Sequence, residues 1–165
     1  MTIEGKSRKA YSTAFDASAK TVERGWWKYS SQFGRAINMR GYYTIVIPAE
    51  MNGGTADLEL FSRALSNKMG SRFYLALNTK DVPADKVSSY NTEVKRILQN
   101  FKRSYYINWI ETKLEKEEKK AIRAGKKASK AKGKSREKAL QELAALDEST
   151  AKMKADLLEV YQAYQ

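Results

Sequence analysis

The sequence predicts an α+β fold: a small β-sheet packed with helices, plus a long C-terminal antiparallel helical hairpin with a basic tip. Three observations carry this. Two short stretches, "YYTIVIP" near 42–48 and "RFYLALNT" near 72–79, are rich in aromatic and β-branched residues, as strands are. The last half of the chain holds apolar residues at alternating steps of three and four, the spacing of one helix face. Between its two halves lies a run of Lys and Arg with small spacers.

Taken in order, residues 1–9 are polar and are expected to fray. Tyr11, Phe15, Val22, Trp26, Tyr29 and Phe33 then step by three, four and seven, which predicts a helix from Ala10 with a break near Gly25. The strand at 42–48 closes at Pro48, which cannot donate to a ladder. "MNGG" is a loop. Thr55 looks like an N-cap with Asp57 and Glu59 in the first turn. Leu58, Leu60, Phe61, Ala64, Leu65 and Met69 would form that helix's apolar face, with Gly70 as its stop. The strand at 72–79 follows, so the middle of the chain predicts strand–helix–strand with a parallel crossover.

Pro83 suits an early helical position. Val87, Tyr90, Val94, Ile97 and Phe101 step by three and four, and Ile107, Ile110, Leu114 and Ala121 continue an apolar face toward Arg123. Beyond the basic run, Ala139, Leu143, Leu146, Thr150, Met153, Leu157, Val160 and Tyr164 alternate steps of four and three, a heptad seam. Two seamed helices joined by a short Gly-containing segment predict a helical hairpin, with Gly125 and Gly133 flanking the reversal. A single Lys-rich helix running through is the alternative, because Ala and Lys are good helix formers. The expected organisation is an α+β core over 1–83 and the hairpin over 84–165, or one compact domain holding both.

The 165 residues include no Cys and no His. Zinc sites built on those ligands, disulfides and nucleophile–His–Asp triads are therefore excluded. No cofactor and no metal site is expected. No stretch of eighteen apolar residues occurs, so no transmembrane helix is predicted. "MTIEGKSRKAYSTAF" lacks the apolar segment of a secretory signal. The expected location is the cytoplasm or a particle assembled there, with no membrane partner.

The net charge is +12, and it is concentrated. Residues 119–138 carry ten basic groups and one acid, Glu137; residues 1–40 carry a further net +5. A localised excess points to a polyanion. Lys119, Lys120, Arg123, Lys126, Lys127, Lys130, Lys132, Lys134, Arg136 and Lys138 are the candidate nucleic-acid-binding residues. Cations that replace counterions on phosphates gain free energy from their release, and Ala, Ser and Gly spacers allow close approach. Such a run can also serve only to solvate a loop, or meet an acidic protein. A second candidate surface is "NFKRSYYINWIETK", where Lys102 and Arg103 precede Tyr105, Tyr106 and Trp109. Basic groups beside aromatics can hold phosphates and stack on unpaired bases. "ERGWWKYSSQFGR" has the same character, although Trp26 and Trp109, at helical spacing, are expected in the core.

Other motifs are weak. Gly53-Gly54-Thr55 resembles a phosphate-cradling turn but lacks the Gly-Lys-Ser/Thr ending of a P-loop. Asp85 with Glu93-x-Lys95, and Glu111-x-Lys113, match a metal-nuclease pattern, yet both acid–x–Lys pairs fall in a predicted helix. Ser149-x-x-Lys152 and Ser135-x-x-Lys138 offer no dry pocket. "SRALSNKMGSRF" is a faint helix–turn–helix match, followed by a β-like segment instead of a recognition helix. The expectation is a non-catalytic nucleic-acid-binding protein that grips phosphate backbone, DNA or RNA, by its hairpin tip. The alternative is a protein-interaction module, such as a small viral or mobile-element inhibitor or a virion component, that docks on a nucleoprotein complex. Nuclease activity ranks third. Homo-oligomers through the 139–164 seam are a further expectation.

Overall fold

A computed structural model describes residues 1–3, 5–52, 57–80 and 82–163. Along the chain run β1 (Thr2–Ile3), β2 (Lys6–Ser7), β3 (Ala10–Phe15), α1 (Ala19–Ser30), β4 (Ile37–Asn38), β5 (Tyr43–Ile47), α2 (Ala49–Asn52), β6 (Leu58–Asn67), β7 (Gly70–Leu77), α3 (Val87–Lys130) and α4 (Gly133–Gln162). The fold is α+β. A five-stranded sheet has the order β3-β7-β6-β5-β4, every neighbouring pair antiparallel, and β1 and β2 form a separate two-stranded ribbon. The chain divides into two compact units, Met1–Tyr105 and Tyr106–Gln165.

Both predicted strands are present, as β5 and β7. The predicted helix between them is overturned: "LELFSRALSN" is β6, paired with β7 from Leu60↔Leu77 to Asn67↔Gly70. Its apolar residues satisfy two periods at once. Leu58, Leu60, Ser62 and Ala64 are buried on one face, while Phe61 is buried on the other. A strand buried on both sides loses its alternation and can pass for a helix. The parallel crossover is therefore replaced by a hairpin through Lys68 and Met69, where Met69 N–H donates to Asn67 Oδ1 at 2.9 Å. Gly70, read as a helix stop, instead opens β7 with φ +141°. Leu65 and Met69, placed in the core by the helical reading, are exposed. The Gly53-Gly54-Thr55 turn and the Thr55 cap lie outside the described residues, as does Tyr164.

The first predicted helix is also corrected. Its opening part is β3, the edge strand paired with β7, and the helix begins at Ala19 after Ser18, whose hydroxyl accepts from Thr21 N–H at 3.3 Å. Tyr11 and Phe15 thus face the core from a strand, and Val22 and Trp26 from a helix; the common spacing is coincidental. The described residues of the segment expected to fray are tied down: β1 pairs with β2, and the Met1 amino group donates to the Arg8 carbonyl at 2.9 Å. Ile3 is buried with Phe61 and Ala76, and the Arg8 guanidinium sits 4.4 Å from the Phe61 ring centroid while donating to Asn78 Oδ1 at 3.0 Å.

The core of the first unit contains an aromatic cluster. Phe101 of α3 packs against Phe73 (5.0 Å between centroids), Trp26 (5.2 Å), Phe15 (5.4 Å) and Tyr29 (5.5 Å). Gly25 does not break α1. It lets α1 and α3 approach: a Cβ there would lie 2.8 Å from Tyr105 Cδ2. Pro83 stands before the helix, where Lys86 N–H donates to its carbonyl at 3.0 Å, and α3 continues past Arg123 to Lys130.

The second unit holds a helical hairpin made of α3 beyond Tyr105 and α4, so it starts later than the expected 84–165 and leaves the start of α3 in the first unit. Ile110, Ala124 and Ala128 on α3 and Ala139 and Thr150 on α4 are buried; Leu114, Leu143, Leu146, Met153, Leu157 and Val160 are partly so. The helices run antiparallel, since Glu118 pairs with Lys154 at 3.0 Å while Gly125 lies opposite Leu143. Nearest the reversal the seam is mostly alanine, which lets two backbones approach closely. Farther away it is lined by Ile110, Leu114, Met153 and Leu157.

Candidate nucleic-acid interface

The reversal takes two residues. Ala131 N–H still donates to Lys127 O at 3.0 Å, Lys132 is extended, and Gly133 turns into α4 with φ +54°, a left-handed value that glycine adopts without strain. Gly133 therefore belongs to the reversal as predicted, whereas Gly125 lies inside α3.

All ten predicted tip residues are exposed. Lys119, Lys120, Arg123, Lys126, Lys127 and Lys130 come from α3, Lys132 from the connection, and Lys134, Arg136 and Lys138 from the start of α4. The hairpin thus brings residues from two helices to one end. Lys119 pairs with Glu115 and Lys120 with Glu117, both on the surface. Such pairs are weak and open to exchange with a stronger anion. The other eight make no ion pair among the described residues. Lys119 holds the Glu115 carboxyl below the ordinary carboxylate value through its hydrogen bond and charge.

The helix ends contribute in opposite ways. At the C-terminal end of α3, Lys127 and Lys130 complement the dipole. At the start of α4, the first turn holds no acid, and the N-cap Lys132 makes no side-chain capping bond. The positive end of that dipole therefore adds to the field of the cations. Glu111, Glu115, Glu117 and Glu118 on α3, and Asp147, Glu148, Asp156 and Glu159 on α4, lie farther from the reversal, while Glu137 and Glu142 are the two acids of α4 nearer to it.

Two grooves lie along its side. One, of about 450 Å³, is lined by Lys113, Lys116, Glu117, Lys119, Lys120, Arg123 and Met153. The second, of about 210 Å³, shares Lys113 and Met153 and adds Trp109, Ile110, Ser149, Lys152 and Asp156. Trp109, expected in the core, is 47% exposed, and the Lys113 ammonium sits 3.6 Å from its ring centroid. Lys113 and Lys116 were not among the predicted residues. Their spacing from Lys120 and Arg123, by three and four, was the signal that could have found them.

Lys102 and Arg103 belong to the first unit and are half-buried on α3. Tyr105 packs on Phe15 at 5.0 Å and is part of the aromatic core. In the other aromatic segment Trp26 is buried as expected, while Trp27 is 56% exposed. Glu93 of the nuclease-like pattern is engaged by the Arg96 guanidinium. No helix among the described residues is long and apolar enough to cross a membrane. Comparison with known proteins gave no matching family model, curated protein or solved structure.

Proposed function

We propose that this chain is a non-catalytic nucleic-acid-binding protein that grips the phosphate backbone with the basic end of its helical hairpin. The observation that supports this best is the exposure of ten cations around a two-residue reversal, eight of them without an ion pair among the described residues. Helices on both sides hold these groups, so less freedom is lost on binding than from a loose tail. Besides its Lys and Arg the run holds only Ala, Ser, Gly, Ile122 and Glu137, with no Asn, Gln or aromatic side chain, so contact is expected chiefly with phosphates and binding should depend weakly on sequence.

Fluorescence anisotropy over a salt series tests the reading. Each phosphate contact contributes about 0.9 to the logarithmic salt slope on duplex DNA and about 0.7 on single strands. Changing Lys126, Lys127, Lys130, Lys132 and Lys134 to Gln should make the slope shallower by up to about 4.5 on duplex DNA and about 3.5 on single strands. Equal slopes for the two proteins, or no binding near physiological salt, would overturn the reading.

A second reading, docking on a protein or a nucleoprotein complex, draws on Ile122 and Leu140, two large apolar side chains exposed near the tip. A partner retained after nuclease treatment and at high salt would favour it.

A further inference from the structure

Resting on the reading of the hairpin as a nucleic-acid grip, we propose that its ligand is single-stranded and lies along one flank of α3, with an unstacked base against Trp109. Lys113, Lys116, Lys120, Arg123, Lys127 and Lys130 step by three, four, three, four and three. That alternation puts six cations in one row beside the buried seam. The row covers seventeen helical steps, about 25 Å at 1.5 Å per residue. All six side chains are exposed. Glu111, Glu115 and Glu118 follow the same alternation on the opposite flank, so the field is one-sided.

One step of four before Lys113, the row reaches Trp109. Its ring is half-exposed, carries the Lys113 ammonium at 3.6 Å, and lines a groove floored by Ile110 and Met153. The two grooves share Lys113 and Met153, so the cations from Lys113 to Arg123 and the indole line adjoining grooves. Each groove holds one acid, Glu117, engaged by Lys120, in the larger and Asp156 in the smaller.

A linear row of cations ending in an aromatic ring is the chemistry of a single-strand platform, where the backbone tracks charge and bases stack on side chains. The duplex alternative fits less well. A duplex offers phosphates to the row but no free base face to Trp109, because its bases are already paired and stacked. A row of about 25 Å accommodates roughly four to seven nucleotides, from the rise of a stacked strand down to a more extended one.

The experiment compares binding of dT15, U15 and a 15-base-pair duplex by anisotropy, with three variants of the full chain. The first removes the row beside the groove (Lys113→Gln, Lys116→Gln, Lys120→Gln, Arg123→Gln). The second removes as many charges from the tip (Lys132→Gln, Lys134→Gln, Arg136→Gln, Lys138→Gln). The third is Trp109→Ala, with Trp109→Phe as the conservative control. The expected result is single-strand binding at least about tenfold tighter than duplex, weakened more by the first variant than by the second. Trp109→Ala should lose about tenfold on single strands without changing the salt slope, and Trp109→Phe should recover most of it. The dT15 and U15 arms say whether DNA or RNA is preferred. Duplex binding as tight as single-strand binding, or Trp109→Ala without effect, overturns this proposal and leaves the tip reading standing. Absence of salt-dependent binding to all three polymers overturns both.

Discussion

Gly70 gives the sharpest test of the packing. It opens β7 at φ +141°, and a Cβ built on it would lie 2.2 Å from the Phe15 carbonyl oxygen, 3.2 Å from Ala17 N and 3.2 Å from Asp16 Cα. Every obstructing atom is backbone, so no rotamer change relieves the overlap. Gly70→Ala therefore meets two costs: about 1–3 kcal/mol for a backbone conformation that L-residues rarely adopt, and a further ~1–3 kcal/mol for overpacking. The expected loss is roughly 4 kcal/mol, a large share of the ~5–15 kcal/mol that holds a typical domain. With a urea slope near 2 kcal/mol/M, the midpoint should fall by about 2 M. Near-ultraviolet circular dichroism is the suitable probe, because the aromatic cluster lies in the same unit. Gly5→Ala is the control. It has φ +72° with nothing within 4 Å of the added Cβ, so it carries only a torsional cost of about 1 kcal/mol. If the two substitutions cost the same, the close approach to Phe15 is not what the glycine serves.

Three further outcomes follow from the structure. Phe101→Ala removes the ring shared by Phe15, Trp26, Tyr29 and Phe73 and should cost about 3–5 kcal/mol by urea unfolding, whereas exposed Trp27→Ala should stay within about 0.5 kcal/mol. Ala139→Asp puts a carboxylate at a fully buried seam position, and circular dichroism at 222 nm should show loss of hairpin helix while the near-ultraviolet signal of the first unit persists. Burial pushes the Tyr29 phenol above its ordinary value, against the opposing pull of Arg96. Its stabilising effect is therefore complete below pH ~10 and is lost as pH rises toward the folded-state value, because the unfolded chain releases its proton first. Unfolding midpoints measured above pH 10 should fall less steeply in Tyr29→Phe.

Gly70 also shows what the sequence made legible and what it did not. A glycine at positive φ ends helices and opens hairpins alike, so its presence marks a reversal without naming the element before it. "LELFSRALSN" was ambiguous for a related reason: with apolar residues directed to both faces of the sheet, it matches a helix and a doubly buried strand equally well. The decision rests with β7, through a ladder of pairings that lies outside any local window. The α4 seam was readable because one helix face, repeated over three heptads, is local information. Ala139, Leu143, Leu146, Thr150, Met153, Leu157 and Val160 are the buried or half-buried positions the spacing predicts. Charge was legible as composition, but its direction was not. The ten tip residues follow from counting, whereas the row through Lys113 and Lys116 shows only when the cations are read at helical spacing along the predicted helix.

The seam and the cations act on each other. Near the reversal the buried positions are Ala124, Ala128 and Ala139, whose methyl groups remove little apolar surface from water. The same segment gathers ten positive charges, whose mutual repulsion acts within a Debye length of about 8 Å. This end of the hairpin therefore combines the weakest apolar hold with the strongest internal repulsion. Larger side chains would hold it more firmly, but they would also spread the helices and the charges they carry. The alanine seam keeps the cations of α3 and α4 close, at the expense of stability. A polyanion laid across them removes the repulsion and stabilises the packed hairpin by mass action. On the proposed function, the feature that makes this end least stable alone is the one that lets a bound phosphate backbone stabilise it.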